Sequence, residues 1–137
     1  MAEERSQEMG AIERVEKQVS EADVALFELV TRDDQLEAEE PPKPARSRRQ
    51  AVPFPLIAAL LASAAARHIP RPAIARFERA EVCFSAPAYT EDTLSAVAEI
   101  AEIAGHDASG QTLHVRARCE NQEGLALAAG DFYLRAE

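Results

Sequence analysis

An α+β domain, in which one antiparallel sheet wraps around a buried central helix, is the fold class this sequence predicts. Residues 55–69 (Pro-Leu-Ile-Ala-Ala-Leu-Leu-Ala-Ser-Ala-Ala-Ala-Arg-His-Ile) read as a helix that is apolar on every side, and such a helix must be enclosed by other elements. Beyond Pro70 and Pro72 the hydrophobic period switches from helical to two. Turn-forming stretches at 105–110 and 121–124 then join successive strands directly, as in a meander.

Taken in order, residues 1–10 form a frayed tail, and a short strand of poor alternation lies near 12–19. Ser20-Glu21-Ala22-Asp23 has capping-box spacing, in which the serine hydroxyl serves an orphan amide and the acid reaches back to the serine. Val24, Phe27 and Val30 follow at helical spacing, so a helix is expected over 21–31. From 36 to 50 the chain changes character. Glu37-Ala38-Glu39-Glu40 is acidic, Pro41-Pro42-Lys43-Pro44 is stiff and extended, and Arg46-Ser47-Arg48-Arg49 is basic. Such a segment has little to bury and reads as a mobile loop. Its arginines, Arg46, Arg48 and Arg49, suit either a grip on ligand phosphates or a solvated loop that offsets the acidic run.

The proline that opens the apolar helix is well placed, because an amide there would have no intrahelical partner. Strand signals follow at 77–85, with a break around 79–81 that reads as a bulge. In 93–103, Leu94, Ala96, Ala98 and Ile100 share one face. In 112–120, Leu113, Val115, Ala117 and Cys119 point one way while His114, Arg116 and Arg118 point the other. In 125–135, Ala126, Ala128, Phe132 and Leu134 form the third clean face. The alanine-rich inner faces let a sheet approach a helix closely, and 137 residues allow one such unit.

Composition narrows the function classes. A net charge of −9 argues against a nucleic-acid groove or an anionic membrane surface, since both need clustered positive charge. Cys83 and Cys119 supply neither a disulfide framework nor metal-ligand spacing and read as reduced core thiols. The N-terminus is acidic and polar, unlike a secretory signal, and the apolar run 52–66 is shorter than the roughly 20 residues a membrane span needs. A soluble cytoplasmic protein with no metal and no cofactor is the expectation. Asp92 reads as a cap on its own turn, His68 as a cation at a helix C-terminus, and Ser63 as a small packing residue. His106 and His114 have no partner at ligand spacing in the sequence.

Two segments carry a resemblance. Phe84-Ser85-Ala86-Pro87-Ala88-Tyr89-Thr90-Glu91-Asp92-Thr93-Leu94 reads as a strand, a proline-broken corner and a new strand opening on Asp-Thr-Leu. Asn121-Gln122-Glu123-Gly124 is a turn ahead of the last strand. Together they resemble the MaoC-like family of hot-dog proteins, lyases that hydrate enoyl-CoA or dehydrate 3-hydroxyacyl thioesters in fatty-acid metabolism. The resemblance spans roughly 19–134 and implies a single hot-dog fold over 11–137. It also implies an acyl-CoA or acyl-carrier thioester as ligand, and a homodimer or a heterodimer with a catalytic homologue.

The resemblance implies a site that has lost its chemistry. Residues 19–33 look like the family's first helix leading into a catalytic loop, Gly-Asp-x-Asn-Pro-x-His, whose aspartate and histidine activate the water that adds to the enoyl thioester. Here Arg32 stands at the glycine, Asp33 at the aspartate, Gln35 at the asparagine, Leu36 at the proline and Ala38 at the histidine. Asp33 is therefore the implied catalytic residue; as plain sequence, Asp33 and Asp34 equally suit an acidic helix end. Glu37 and Glu39 are poor substitutes for the imidazole, because each adds a second carboxylate beside Asp33. The family enters its buried helix through Ala-His-Gly, whose glycine amide helps bind the thioester carbonyl. Here the stretch is Val52-Pro53-Phe54-Pro55, and a proline cannot donate. Losing such a donor costs about 100- to 1000-fold in rate. Phe54 and the three arginines are the implied ligand contacts. The readings left open are a non-catalytic acyl-thioester binder, a hydratase with relocated acid–base residues, a hot-dog thioesterase, and a purely structural dimer. The third is weakened by the absence of any acid on the buried helix.

Overall fold

The computed structural model describes residues 8–31, 49–71, 73–107 and 110–136. Its elements run β1 (Ile12–Gln18), α1 (Glu21–Thr31), α2 (Phe54–Ala66), β2 (Ala75–Phe84), β3 (Thr93–Asp107), β4 (Gly110–Glu120) and β5 (Ala126–Ala136). The five strands form one sheet in the order β1-β3-β4-β5-β2, antiparallel throughout. The sheet curls around α2, so the predicted α+β class and its central helix hold.

Local chemistry explains the boundaries. At the start of α1 the capping box closes in both directions: the Ser20 amide donates to Asp23 Oδ2 at 2.9 Å and the Asp23 amide donates to Ser20 Oγ at 3.1 Å. The Ser20 amide first, then Lys17 and the Ser20 hydroxyl, hold the Asp23 carboxyl below its ordinary value. Helix α2 ends at Ala66, earlier than the apolar run suggests. The next residues tighten into i→i−3 bonds, His68 to Ala65 at 3.2 Å and Ile69 to Ala66 at 3.0 Å, which use up carbonyls the helix end would leave orphaned.

The core sits between α2 and the concave face of the sheet. Ile57, Leu61, Ala64 and Ala65 of α2 meet Leu94, Ala96, Ala98 and Ile100 of β3, the inner residues Leu113, Val115, Ala117 and Cys119 of β4, and Ala128, Phe132 and Leu134 of β5. The inner faces of β3 and β4 are those the alternation predicts. In β5 the pattern holds only in part: Ala126 is exposed and Leu127 is buried, beside a register shift at Cys119 and Glu120.

Three further expectations need correction. Helix α2 is not enclosed all round: Pro55, Ala59 and Ser63 are exposed along it, and Phe54 is exposed at its start. Ser63 is thus exposed and packs on no helix among the described residues. Cys119 is a buried thiol, pushed up to about 11 by burial and then by Glu120, whereas Cys83 is exposed on β2. The difference follows from the faces: Cys119 opposes the buried Ala96 and Ala128 on the concave side, while Cys83 opposes the exposed Ala129 on the convex side.

The predicted bulge in β2 falls between Phe77 and Arg79. It lets Phe77 oppose Leu134 while Ala80, Val82 and Phe84 oppose Phe132, Gly130 and Ala128, so all four share the concave face. Gly130 permits the close approach of β2, since a Cβ there would lie 2.8 Å from the Glu81 carbonyl oxygen. Of the expected tail, residues 1–7 lie outside the described residues, and the Gly10 amide donates to the Ile100 carbonyl at 2.8 Å.

Candidate functional site

The site is built where three segments meet: the approach to α2, the end of β2, and the turn that opens β3. Helix α2 begins without a side-chain cap. Pro53 occupies the cap position, and its carbonyl takes both the Leu56 amide at 3.0 Å and the Ile57 amide at 3.4 Å. Pro55 has no N–H to give. Among the described residues, no acceptor faces the Phe54 amide. The Phe54 ring is 45% exposed and leans on Phe84, which is 39% exposed, with ring centroids 4.8 Å apart and planes at 44°. Helix α2 packs chiefly on β3, β4 and β5 and barely reaches β2. On the concave face beside the helix, Phe77, Ala80 and Phe84 are exposed and Val82 is partly buried against the core, an apolar strip that α2 leaves largely open among the described residues.

The approach to α2 is clamped rather than loose. The Thr90 amide donates to the Gln50 carbonyl at 2.8 Å, the Gln50 amide to Thr90 Oγ1 at 3.0 Å, and the Val52 amide to the Ala88 carbonyl at 2.8 Å. Gln50 Nε2 also donates to Glu28 Oε1 on α1 at 3.2 Å. At the centre is Asp92, only 4% exposed. Its Oδ2 accepts the Tyr89 amide at 2.9 Å; its Oδ1 accepts Gln122 Nε2 at 3.0 Å and an ion pair from Arg49 Nη2. Burial alone would raise this carboxyl, but the Tyr89 amide, then Gln122 and Arg49, outweigh it and hold the group below its ordinary value. The turn cap predicted at Asp92 is present, and it joins two more segments than the sequence could show.

The candidate residues divide accordingly. Asp33, Ala38, Arg46 and Arg48 lie outside the described residues, as does the expected loop over 36–50 apart from its last two residues. Those two, Arg49 and Gln50, are pinned. Arg49 also donates from Nε to the Thr90 carbonyl at 3.0 Å, and its guanidinium lies 5.9 Å from the centre of the Tyr89 ring. Phe54 is the first residue of α2.

Two histidines take roles the sequence did not indicate. His68, expected as a helix-end cation, is buried and donates from Nε2 to the Ala98 carbonyl at 2.8 Å. His114 projects from the outer face of β4, donates from Nε2 to Asp131 Oδ1 at 2.7 Å, and stacks on Tyr133 at 4.6 Å. The pairing was hidden because Asp131 is 17 residues away and meets His114 only through the β4–β5 register. Among the described residues no group of three or more His, Cys, Asp or Glu is placed to hold a metal ion, and no helix is long and apolar enough to cross a membrane.

No protein-family model matches this sequence, and no curated protein matches it. Solved structures do. The unliganded R-hydratase PhaJ1 from Pseudomonas aeruginosa superposes with a TM-score of 0.74 at 20% identity, over 94% of this chain and 81% of that one. The (R)-hydratase from A. caviae involved in PHA biosynthesis gives 0.72 at 18% identity, over 97% and 99%. The ChsH1-ChsH2 complex from Mycobacterium tuberculosis gives 0.67 at 14% identity, over 96% and 100%. At these identities the likeness establishes a single hot-dog fold for this chain.

Proposed function

We propose that this chain is a MaoC-like acyl-thioester-binding protein that has lost hydratase chemistry. Its acyl chain lies along the apolar strip between α2 and β2, and a second hot-dog subunit closes that strip. The observation that carries the reading is the mouth of α2. There Pro55 in the first turn of the helix has no N–H to offer a developing oxyanion, and Phe54 lies against Phe84 as an apolar wall. Such a mouth still suits a thioester and its acyl chain. Asp33 remains the residue to test for residual chemistry, with Ala38 at the histidine position. Free cysteines at 83 and 119 suit the cytoplasm.

A hydratase with relocated acid–base residues is the alternative, and the described histidines speak against it. His114 and Asp131 form a dyad, but on the sheet face opposite α2. His68 is engaged at the other end of the helix.

The closing subunit is a second copy or a catalytic homologue; the likeness to a two-component hot-dog complex makes the second partner worth testing. The experiment is ultraviolet loss of the conjugated thioester with crotonyl-CoA and a longer enoyl-CoA, alongside calorimetric binding of a saturated acyl-CoA. Binding without turnover is expected. Turnover on the order of 10 per second, abolished by Asp33→Asn, would replace this reading with the hydratase one.

A further inference from the structure

We propose that α1 of this chain docks on α2 of a second copy, laying its outer face along the exposed stripe of that helix. The inference rests on the reading that a second subunit closes the molecule beside α2, and it names the element that subunit contributes. It starts from a helix whose apolar face points outward. Of the eleven residues of α1, all of them described, only Val24 is buried. Leu26, Leu29 and Val30 are 61%, 71% and 74% exposed, and Ala22 and Ala25 are exposed with them. At 3.6 residues per turn these five share one arc of about 140° opposite Val24. The charged residues stand on the flanks: Glu21, Asp23, which pairs with Lys17 at 3.2 Å, and Glu28, which accepts from Gln50 Nε2 at 3.2 Å. A continuous apolar face of this kind marks a contact surface.

The chain carries its own complement. Helix α2 exposes Pro55, Ala59 and Ser63, a row of small residues at four-residue spacing, and Arg67 continues the row, also exposed. Ala22 to Val30 and Pro55 to Ser63 are equal lengths of helix, about 12 Å each. The bulky ridge of α1 therefore matches, in length and in size, a groove floored by small side chains. Charge sets the direction. Arg67 Nη1 donates to the Arg14 carbonyl at 3.2 Å, and no carboxylate among the described residues pairs with its guanidinium. An antiparallel approach brings Glu21, at the start of α1, to Arg67 at the end of the second copy's α2. A two-fold axis then makes the same contact twice. The same charges argue against other occupants. Packing α1 on α1 would set Glu21, Asp23 and Glu28 against their own copies, and an anionic lipid surface would meet those carboxylates too.

The test is light scattering over a dilution series, with urea unfolding to confirm that each variant is folded. Leu26→Ser combined with Leu29→Ser should raise the dimer dissociation constant by about 100-fold or more, because a two-fold contact loses each side chain twice. Glu21→Arg should weaken the dimer about 10-fold, and Arg67→Glu in the same chain should restore it. A monomeric wild type, or an undiminished dimer in the double-serine variant, overturns the proposal. So does a loss in Glu21→Arg that Arg67→Glu fails to restore, or a tighter dimer in Glu21→Arg, the result expected if α1 packed on α1. Sedimentation of the wild type but not the double-serine variant with phosphatidylcholine vesicles would assign the face to lipid and overturn it as well. If the dimer responds as stated while octanoyl-CoA does not bind, the acyl-thioester reading falls and the helix contact stands.

Discussion

The two flanks of the sheet solve the problem of an exposed edge in opposite ways. The β1 flank is short, charged and fastened: Lys17 pairs with Asp23 at 3.2 Å, the Val19 amide donates to the Asp92 carbonyl at 3.0 Å, and the Glu91 amide donates to the Val19 carbonyl at 2.7 Å. The β2 flank is a ten-residue edge strand whose concave side carries Phe77, Ala80, Val82 and Phe84 beside an uncovered stripe of α2. Charges and terminating bonds keep an edge from pairing, whereas a long edge with an apolar face invites it. The contrast locates the proposed subunit contact on β2 and leaves β1 as a finished boundary.

Breaking that contrast should have its largest effect on assembly. Val82→Lys points a charge into the β2 flank and should reduce the particle from twice 14.9 kDa to a single chain in light scattering. Glu16→Lys on β1 should leave the dimer intact. A monomeric wild type, or equal loss of assembly in both variants, would remove the distinction between the flanks.

The two sides of α2 sharpen the same comparison. Leu61 is fully buried against the sheet, so Leu61→Ala should cost about 3 kcal/mol in urea unfolding. Ala59→Ser on the open stripe should change monomer stability by no more than about 0.5 kcal/mol. A large loss at Ala59 with assembly already broken by Val82→Lys would show that the stripe is covered within the chain.

On the fastened flank, Asp92→Asn keeps the shape but loses the ion pair with Arg49, and should cost about 2 kcal/mol at neutral pH. The sign with pH follows from a carboxyl held below its ordinary value of 3.8: its stabilisation is present above that value and is lost as pH falls through the lower folded one. Wild type and variant should therefore converge on acidification. A gap that stayed constant to pH 2 would assign Asp92 a purely steric role.

How much was legible in the sequence follows the range of the interactions. Period-two alternation placed the inner faces of β3 and β4, and the Ser20–Asp23 spacing gave the cap of α1, because both signals are local. The open stripe of α2 was not legible: an all-apolar helix looks the same whether a sheet or another subunit covers it. The His114–Asp131 pair and the Arg49–Asp92–Gln122 cluster depend on strand register and on segments about 30 to 40 residues apart, which no local pattern encodes. Pro55 was visible as a residue without an N–H, but the contact of Phe54 with Phe84, 30 residues away, was not.

The smallest predicted effect lies in the turn that secures the β1 flank. Glu91 is exposed, yet its φ is +81°, within the left-handed region that costs an L side chain roughly 1–2 kcal/mol. Its amide and carbonyl hold it there, bonded to the Val19 carbonyl and Gln18 Nε2 respectively. Glycine would remove the strain, but it releases more chain entropy on unfolding, about 0.5–1 kcal/mol. The two terms nearly cancel, so Glu91→Gly should stabilise by about 0.5 kcal/mol, seen as a small rise in the urea midpoint with an unchanged slope. Glu91→Val, whose branched Cβ tolerates this region worst, should lower the midpoint. If valine were as stable as glycine, the turn would have relaxed out of the left-handed region. Both bonds to the end of β1 would then be lost, and the β1 flank would not be the fastened edge that its contrast with β2 requires.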